Sequence, residues 1–478
     1  MTKSAAELSF EAGEISDSAL FESLFAPIDL YSVFEDKHAT STSKGIDRIN
    51  GFQFSARAEA EFVTASNKCI AGTYYFAPYL EVLKAKGRNK PPRLIGIPTI
   101  RDRVVLAQLN RFLAAVFPEC IPRNVASTYV RAISEDLQGR DPDDTWVCCT
   151  DIKTFYDSIE RDRLITVLKK KIRSKAALRL IHHALLTPTV PKNTKRNRHA
   201  DYKTAMGVPQ GLAISNILAA IYMQPVDEAM KRLDVTYYRY VDDVIMYGDQ
   251  DLVKRAKESL AGRLKRRGLS LHATSSGKTQ IAKLSKPFGY LGYVFEGSTI
   301  TVRAATIERF LQSIAAKFSD FTHNKKHRLE KHKYLTEERL ADIFLLELND
   351  RITGAISGQK RYGWIAYFSQ ITDQSLLHRI DHAIRSLFNR LPEFDHLPPA
   401  DLKTLRKSYW AMRHNPNGGY VRNYDEISTR EEKLAFLERR GRLDPDEALT
   451  DAQIDDKYAR YVHHILSTMH ADEGAVYG

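Results

Sequence analysis

Three carboxylates stand in a setting where carboxylates are expensive. Asp242 and Asp243 are adjacent in YRYVDDVIMYG, with Tyr238, Tyr240 and Val241 before them and Val244, Ile245, Met246 and Tyr247 after. Burying two neighbouring charges in such a run is costly unless something neutralises them. A third acid, Asp151, follows the apolar run Trp146-Val147-Cys148-Cys149 and lies 91 residues before Asp242. Each acid closes a short strand, so neighbouring strands of one sheet would bring the carboxylates together. Mg2+ suits such a site, because it prefers oxygen, takes few protein carboxylates and fills its shell with substrate phosphates. Two such ions about 4 Å apart activate an attacking oxygen and stabilise a leaving one in phosphoryl transfer. An isolated Asp-Asp pair is ordinarily a solvated surface turn, so its surroundings must decide.

The elements that would position these acids are legible as patterns. YYRYVDDVIMYG predicts a hairpin with the acids at its tip, and TWVCCTDIKTFY, residues 145–156, opens as a short strand. Apolar residues at helical spacing predict a helix over 101–117. Residues 207–230, from GVPQG onward, read as a Gly-Pro turn entering a long helix, and FGYLGYVFEG, residues 288–297, as another strand pair. Two stretches are strongly basic. One is a helical segment with Lys169, Lys170, Lys171, Arg173 and Lys175; the other is an amphipathic helix over 252–269 with Lys254, Arg255, Arg263, Lys265, Arg266 and Arg267. Residues 191–203 read as a polar basic loop, and 84–98 as a basic turn entering a strand. HNKKHRLEKH, residues 323–332, is a charged helical face rather than a metal site. After about residue 300 the pattern is helical. The fold class expected is α+β followed by an all-α region.

Bulk properties narrow the classes. A chain of 478 residues is too long for one core and implies two or three domains. The net charge of +12 favours a polyanionic partner, most simply nucleic acid. No apolar stretch is long enough to span a membrane, and the acidic N-terminus lacks the apolar region of a secretory signal. Cys69, Cys120, Cys148 and Cys149 form no CxxC pair, which argues against a zinc ribbon or a disulfide framework and fits a reducing cytoplasm.

Six blocks in order resemble those of reverse transcriptases. KPPRLIGIPTIRDRVV (90–105) resembles the fingers strand, DIKTFYDSI (151–159) the first metal-binding block, and GVPQG (207–211) the nucleotide-positioning block. YVDD (240–243) resembles the YxDD box, GLSLHATSSGKT (268–279) the block with a basic residue near the triphosphate, and FGYLGY (288–293) the primer grip. The resemblance implies a right-hand polymerase: a helical lead-in over 1–42, fingers and palm with an antiparallel sheet over 43–300, a helical thumb over 301–392 and a C-terminal helical extension over 393–478. It implies that Asp151, Asp242 and Asp243, with the backbone carbonyl of Ile152, hold two Mg2+ ions, for which Mn2+ can substitute. Lys278 would serve the leaving pyrophosphate. Arg93, with Lys90 beside it, would clamp the triphosphate, Gln210 would contact the incoming nucleotide, and Tyr156 would exclude a 2′-hydroxyl. Tyr240, Gly289, Tyr290 and Trp364 would contact nucleic acid. The sequence departs from the pattern after GVPQG, where GLAISN replaces a Ser-Pro-rich turn, implying a less rigid helix start.

Residues 358–391, with Arg361, Tyr362, Gly363, Trp364 and Tyr367, resemble the thumb of bacterial reverse transcriptases of the group II intron and retron kind, closest to the defence-associated "unknown group". That likeness implies an RNA template, in particular a noncoding RNA, with deoxynucleotides consumed and DNA made, in phage defence. The alternatives are a mobile-element, maturase-like enzyme, untemplated or protein-primed synthesis, and a binding protein with a degenerate polymerase domain. Trp364 and Tyr367, three residues apart, fit helix core as well as base stacking. The extension over 393–478 fits binding of structured RNA, self-association or contact with another protein, and no membrane role is expected.

Overall fold

The computed structural model describes residues 3–84, 91–121, 124–444 and 447–474. Lys90 and most of the basic turn before Pro91 lie outside the described residues. The chain divides into two units, residues 1–124 with 143–283, and residues 125–142 with 284–478. The division therefore falls at 283 rather than near 300, and the expected thumb and extension share one unit.

The first unit has seven strands, β1 (Tyr79–Lys84), β2 (Arg93–Ile97), β3 (Trp146–Asp151), β4 (Thr189–Val190), β5 (Thr236–Tyr240), β6 (Asp243–Gly248) and β7 (Gln280–Lys283). They form two sheets, in the orders β2-β1-β4 and β5-β6-β3-β7. In the second sheet every neighbour is antiparallel, and β3 meets β6 from Trp146 opposite Gly248 to Asp151 opposite Asp243. Val147, Cys148, Cys149 and Val244–Tyr247 are all buried, which explains their unbroken apolar runs. The helix Gln250–Lys265 packs on β3 and β6. Its N-terminus is fixed by Asp249, whose carboxylate accepts from the Asp251 and Leu252 amides.

The helices Asp17–Leu24 and Pro27–Lys37 of the lead-in are part of this unit's core. Leu20, Phe21, Leu24, Leu30, Val33 and Phe34 are buried with Val105, Leu109 and Phe112 of the helix Ile100–Val116. The basic stretch after residue 168 is not the expected helix. The helix Arg161–Leu168 stops, residues 169–173 turn around buried Ile172, and a new helix starts at Lys175. Two caps enforce the break: Ser174 accepts from the Ala177 amide, and Asp17 accepts from the Arg173 and Ser174 amides at 2.7 and 2.8 Å. Within the polar loop, residues Arg196–Tyr202 form a 3-10 helix.

The second unit carries the meander β8 (Phe288–Tyr290), β9 (Tyr293–Glu296) and β10 (Thr299–Val302), and a small sheet in the order β12-β11-β13, from β11 (Ala355–Ser357), β12 (Lys360–Tyr362) and β13 (Arg422–Asn423). The long helices Ala304–Lys331, Glu337–Thr353 and Gln374–Leu387 pack around Phe318, Phe321, Phe344 and Phe388, with ring centroids 4.6 to 5.1 Å apart for successive pairs. A second cluster joins Leu437, Ile454, Tyr461, Val462 and Met469. Beside it Arg440, 2% exposed, donates to Asp350 at 2.6 Å, and Tyr424 reaches the same carboxylate.

That buried pair gives a stability prediction. Asp350→Ala strands the Arg440 guanidinium in an apolar setting and is expected to destabilise the second unit by about 3–5 kcal/mol. Denaturant unfolding of the full chain measures it, and Asp350→Leu combined with Arg440→Met should recover most of the loss.

Candidate active site

The sheet brings the backbone positions of the three acids to one end of the β3–β6 pair. Asp151 is the last residue of β3 and Asp243 the first of β6, and they are direct partners in the ladder. Opposed residues of an antiparallel pair project from the same face of a sheet. Asp242 occupies the turn between β5 and β6, and its carbonyl accepts the Ile152 amide at 3.0 Å. The strand after Asp151 is thus sewn to the turn that carries the other two acids.

The turn is held against resistance. Val241 has φ 56°, a left-handed conformation that a β-branched side chain disfavours. Arg239 holds it, donating to the Val241 carbonyl at 2.7 Å and gripping the Asp227 carboxylate with Nε at 2.8 Å and with Nη2. Tyr237 donates to the same carboxylate at 2.9 Å. Asp227 lies on the helix Ser215–Met230, so this two-pronged ion pair ties the acidic turn to the helix behind it. The pattern reading passed over Arg239 and Asp227; a charge inside the apolar strand YRYV was the available signal.

Lys278 Nζ lies 2.5 Å from Asp151 Oδ2 and 3.2 Å from His272 Nε2. His272 was not foreseen; its amide donates to the Asp151 carbonyl, and burial and Lys278 lower its pKa. Burial, then the charge of Asp151, pushes the Asp242 carboxyl above the usual Asp range, with Arg93 and Lys278 opposing. Arg93, which begins β2, therefore lies within electrostatic reach of Asp242.

Tyr156 donates to Asn216 Oδ1 at 2.6 Å, and burial followed by Asp242 raises its hydroxyl pKa. The strap over 207–211 runs between two anchors. On one side the Gly207 and Val208 amides donate to the Ile159 and Tyr156 carbonyls; on the other the Gly96 amide of β2 donates to the Gln210 carbonyl at 2.8 Å. Gly211, at φ 98°, has no room for a side chain, since a Cβ would sit 2.7 Å from Ile95 Cγ2 and 2.8 Å from the Gly96 carbonyl oxygen. Gln210 Nε2 reaches Asp157 Oδ1 at 3.3 Å. The departure GLAISN does not loosen the helix start: Ser215 donates to the Pro209 carbonyl at 2.5 Å and Asn216 engages Tyr156.

Asp151, Ile152, Asp242, Asp243, Lys278, Arg93, Tyr156, Gln210 and Tyr240 thus all fall in the first unit, with Tyr240 paired to Asp243 across the hairpin. Gly289, Tyr290 and Trp364 fall in the second. Two of these are corrected. Trp364 is 1% exposed and stacked on Phe310 at 4.9 Å, and Tyr290 is 2% exposed, so neither ring has a face for a base. Gly289 lies in the middle of β8, where a Cβ would meet the Arg303 guanidinium at 3.1 Å.

Among the described residues no group of three or more His, Cys, Asp and Glu side chains stands arranged to hold a metal ion. Asp151 and Asp242 nevertheless suit a divalent cation that brings other ligands with it. Their mutual repulsion is opposed by Arg93 and Lys278, and Asp242 is nevertheless pushed toward its neutral form. Among the described residues no helix is long and apolar enough to cross a membrane.

Residues 83–295 match the family described as Reverse transcriptase (RNA-dependent DNA polymerase). Group II intron-encoded protein LtrA of Lactococcus lactis subsp. cremoris is 25% identical over 232 residues, 46% of this chain and 36% of that protein. An uncharacterized 91 kDa protein in the cob intron of Schizosaccharomyces pombe is 32% identical over 171 residues, 34% of this chain and 20% of that one. The chain therefore spans little more than a third of LtrA and a fifth of the cob-intron protein. A telomerase from Candida albicans, solved with a fragment of telomeric RNA, aligns over 72% of this chain and 68% of its own, at 11% identity and TM-score 0.41.

The raised Asp242 pKa carries a signed consequence. A carboxyl whose folded pKa exceeds its ordinary value of 3.8 costs stability once pH rises past that value and the group ionises in place. Asp242→Asn is expected to raise the melting temperature at pH 7 without divalent ions, and the gain should shrink below pH 3.8 or on adding Mg2+. Calorimetric melts across pH, with and without Mg2+, measure both.

Proposed function

We propose that the segment 83–295, matching the reverse transcriptase family, makes this chain an RNA-directed DNA polymerase that adds deoxynucleotides to a 3′-hydroxyl. One observation carries the reading: Asp151, Asp242 and Asp243 come together at the end of two paired strands inside that segment, at a turn kept strained by its own ion pair. In this reading the first unit supplies fingers and palm, and the second the thumb and extension.

Asp151, Asp242 and Asp243, with the Ile152 carbonyl, would hold two Mg2+ ions, replaceable by Mn2+. Such ions, when bound, supply an acidified attacking hydroxyl and charge neutralisation at the triphosphate. The chain's own groups do the rest. Arg93 presents a guanidinium suited to two-pronged phosphate contact. Gln210, fixed between β2 and the Tyr156 segment, faces the nucleotide. The Tyr156 ring, pinned through its hydroxyl by Asn216, stands where a 2′-hydroxyl would need space. Lys278, paired with Asp151, would protonate or neutralise the leaving pyrophosphate.

The template is RNA, and we place the protein in the cytoplasm. A noncoding RNA template and a role against phage are supported by the likeness of residues 358–391 to defence-associated enzymes. A second reading, a mobile-element enzyme, is supported by the similarity to a group II intron-encoded protein.

The test is DNA synthesis by purified protein with its co-purifying RNA, Mg2+ and labelled dNTPs. Asp242→Ala should lower the rate on the order of a thousandfold, as expected for several kcal/mol of lost charge stabilisation. Product matching the co-purified RNA would identify the template, intron RNA would select the second reading, and product matching no RNA would mean untemplated synthesis. Equal synthesis by the variant would overturn the assignment. Tyr156→Ala should admit ribonucleotides, read as a rise in rNTP incorporation relative to dNTP by about tenfold or more, since an unfilled gap removes only steric exclusion.

A further inference from the structure

Two basic stretches far apart in sequence meet on one surface of the first unit. Arg163 and Lys170 come from the helix Arg161–Leu168 and the turn after it; Arg263, Arg266 and Arg267 come from the end of the helix Gln250–Lys265 and the turn that follows. Together they line a cavity of about 460 Å³ with Thr166, Val167, Pro225 and Val226, and no acidic residue lines it. Among the described residues the carboxylate paired with any of the five is Glu160, on Arg163. Arg263 is held by the Ser259 hydroxyl, and Arg267 by the Tyr222 carbonyl with its guanidinium over the Tyr222 ring. Five cations thus share a concave surface with one counter-charge. Burial lowers the Arg267 pKa, with Tyr222 opposing and the nearby Arg163 adding to the shift.

We propose that this cavity is a docking site for the phosphate backbone of a structured RNA, separate from the acidic turn. Four of the five cations are arginines, whose forked donors match phosphate oxygens. The apolar floor of Val167, Pro225 and Val226 suits the sugar edge of a backbone. A lipid surface fits less well, because among the described residues the exposed large hydrophobic side chains lie elsewhere and the apolar lining at Val167, Pro225 and Val226 is small. The choice of RNA over another polyanion rests on the polymerase reading; the existence of the anion site rests on the cavity alone.

The experiment measures binding of a labelled RNA hairpin of about 20 base pairs by the full chain, without nucleotides, over a range of salt. The paired substitution Arg263→Glu with Arg266→Glu should weaken binding about tenfold or more at low salt. It should also reduce the slope of log K against log salt by about 2, since each phosphate contact contributes roughly 0.9. Arg263→Lys with Arg266→Lys should keep most of the affinity, which separates lost charge from lost fold. DNA synthesis on a short primer–template should be unchanged by the charge reversal. Unchanged affinity and slope in the Glu pair would overturn the docking site, as would loss of binding to phosphatidylserine vesicles with RNA binding intact. RNA binding that depends on the patch in a protein that makes no DNA would leave the site standing and remove the polymerase reading instead.

Discussion

The first unit is organised around the repulsion of carboxylates set side by side. The β3–β6 register puts Asp151 opposite Asp243, and the Ile152 amide fastens Asp242 alongside. Charges so placed would drive strand ends apart in an isolated hairpin. Here the ends are kept together by buried apolar runs on both strands and by the Arg239–Asp227 grip on the turn. Lys278, partly exposed, pairs with Asp151. The strain at Val241 and the upward push on Asp242 go together: the fold holds acidic groups close enough that burial and the charge of Asp151 raise the Asp242 pKa despite Arg93 and Lys278.

The other side of the site follows from backbone rather than charge. The segment 207–211 is bonded to β2 at Gly96 and to the 156–159 segment at Gly207 and Val208, so Arg93, Gln210 and Tyr156 are carried on one connected frame. Glycine is required at 211 by the approach of Ile95 and Gly96. Ser215 and Asn216 at the following helix start hold this frame through bonds to Pro209 and Tyr156.

The second unit uses its aromatic residues for cohesion. Trp364 lies flat on Phe310 and beside Phe368, and Tyr290 is enclosed where β8 meets β9. The extension is bound to the long helices partly through ion pairs, Arg440 with Asp350 and Arg351 with Asp472. Such pairs fix a single arrangement more than they add stability, because desolvation offsets much of their attraction.

The sequence by itself determined the strands that end in acids, the hairpin at 240–243, the helix over 101–117 and the order of the blocks. Each is a local pattern: alternation, helical spacing, or a polar tip between apolar runs. It left open whether Trp364 faced a core or a base, because spacing alone does not say which side of a short helix has neighbours. It also placed a helix across Lys169–Arg173, where Asp17, more than 150 residues away in sequence, caps the next helix and ends the run. Only the tertiary structure decided the long-range partners: Asp227 for Arg239, Asn216 for Tyr156, His272 beside Lys278, and the meeting of two basic stretches around one cavity. Those contacts depend on which surfaces the folded chain brings within a few ångströms, and no local pattern records that.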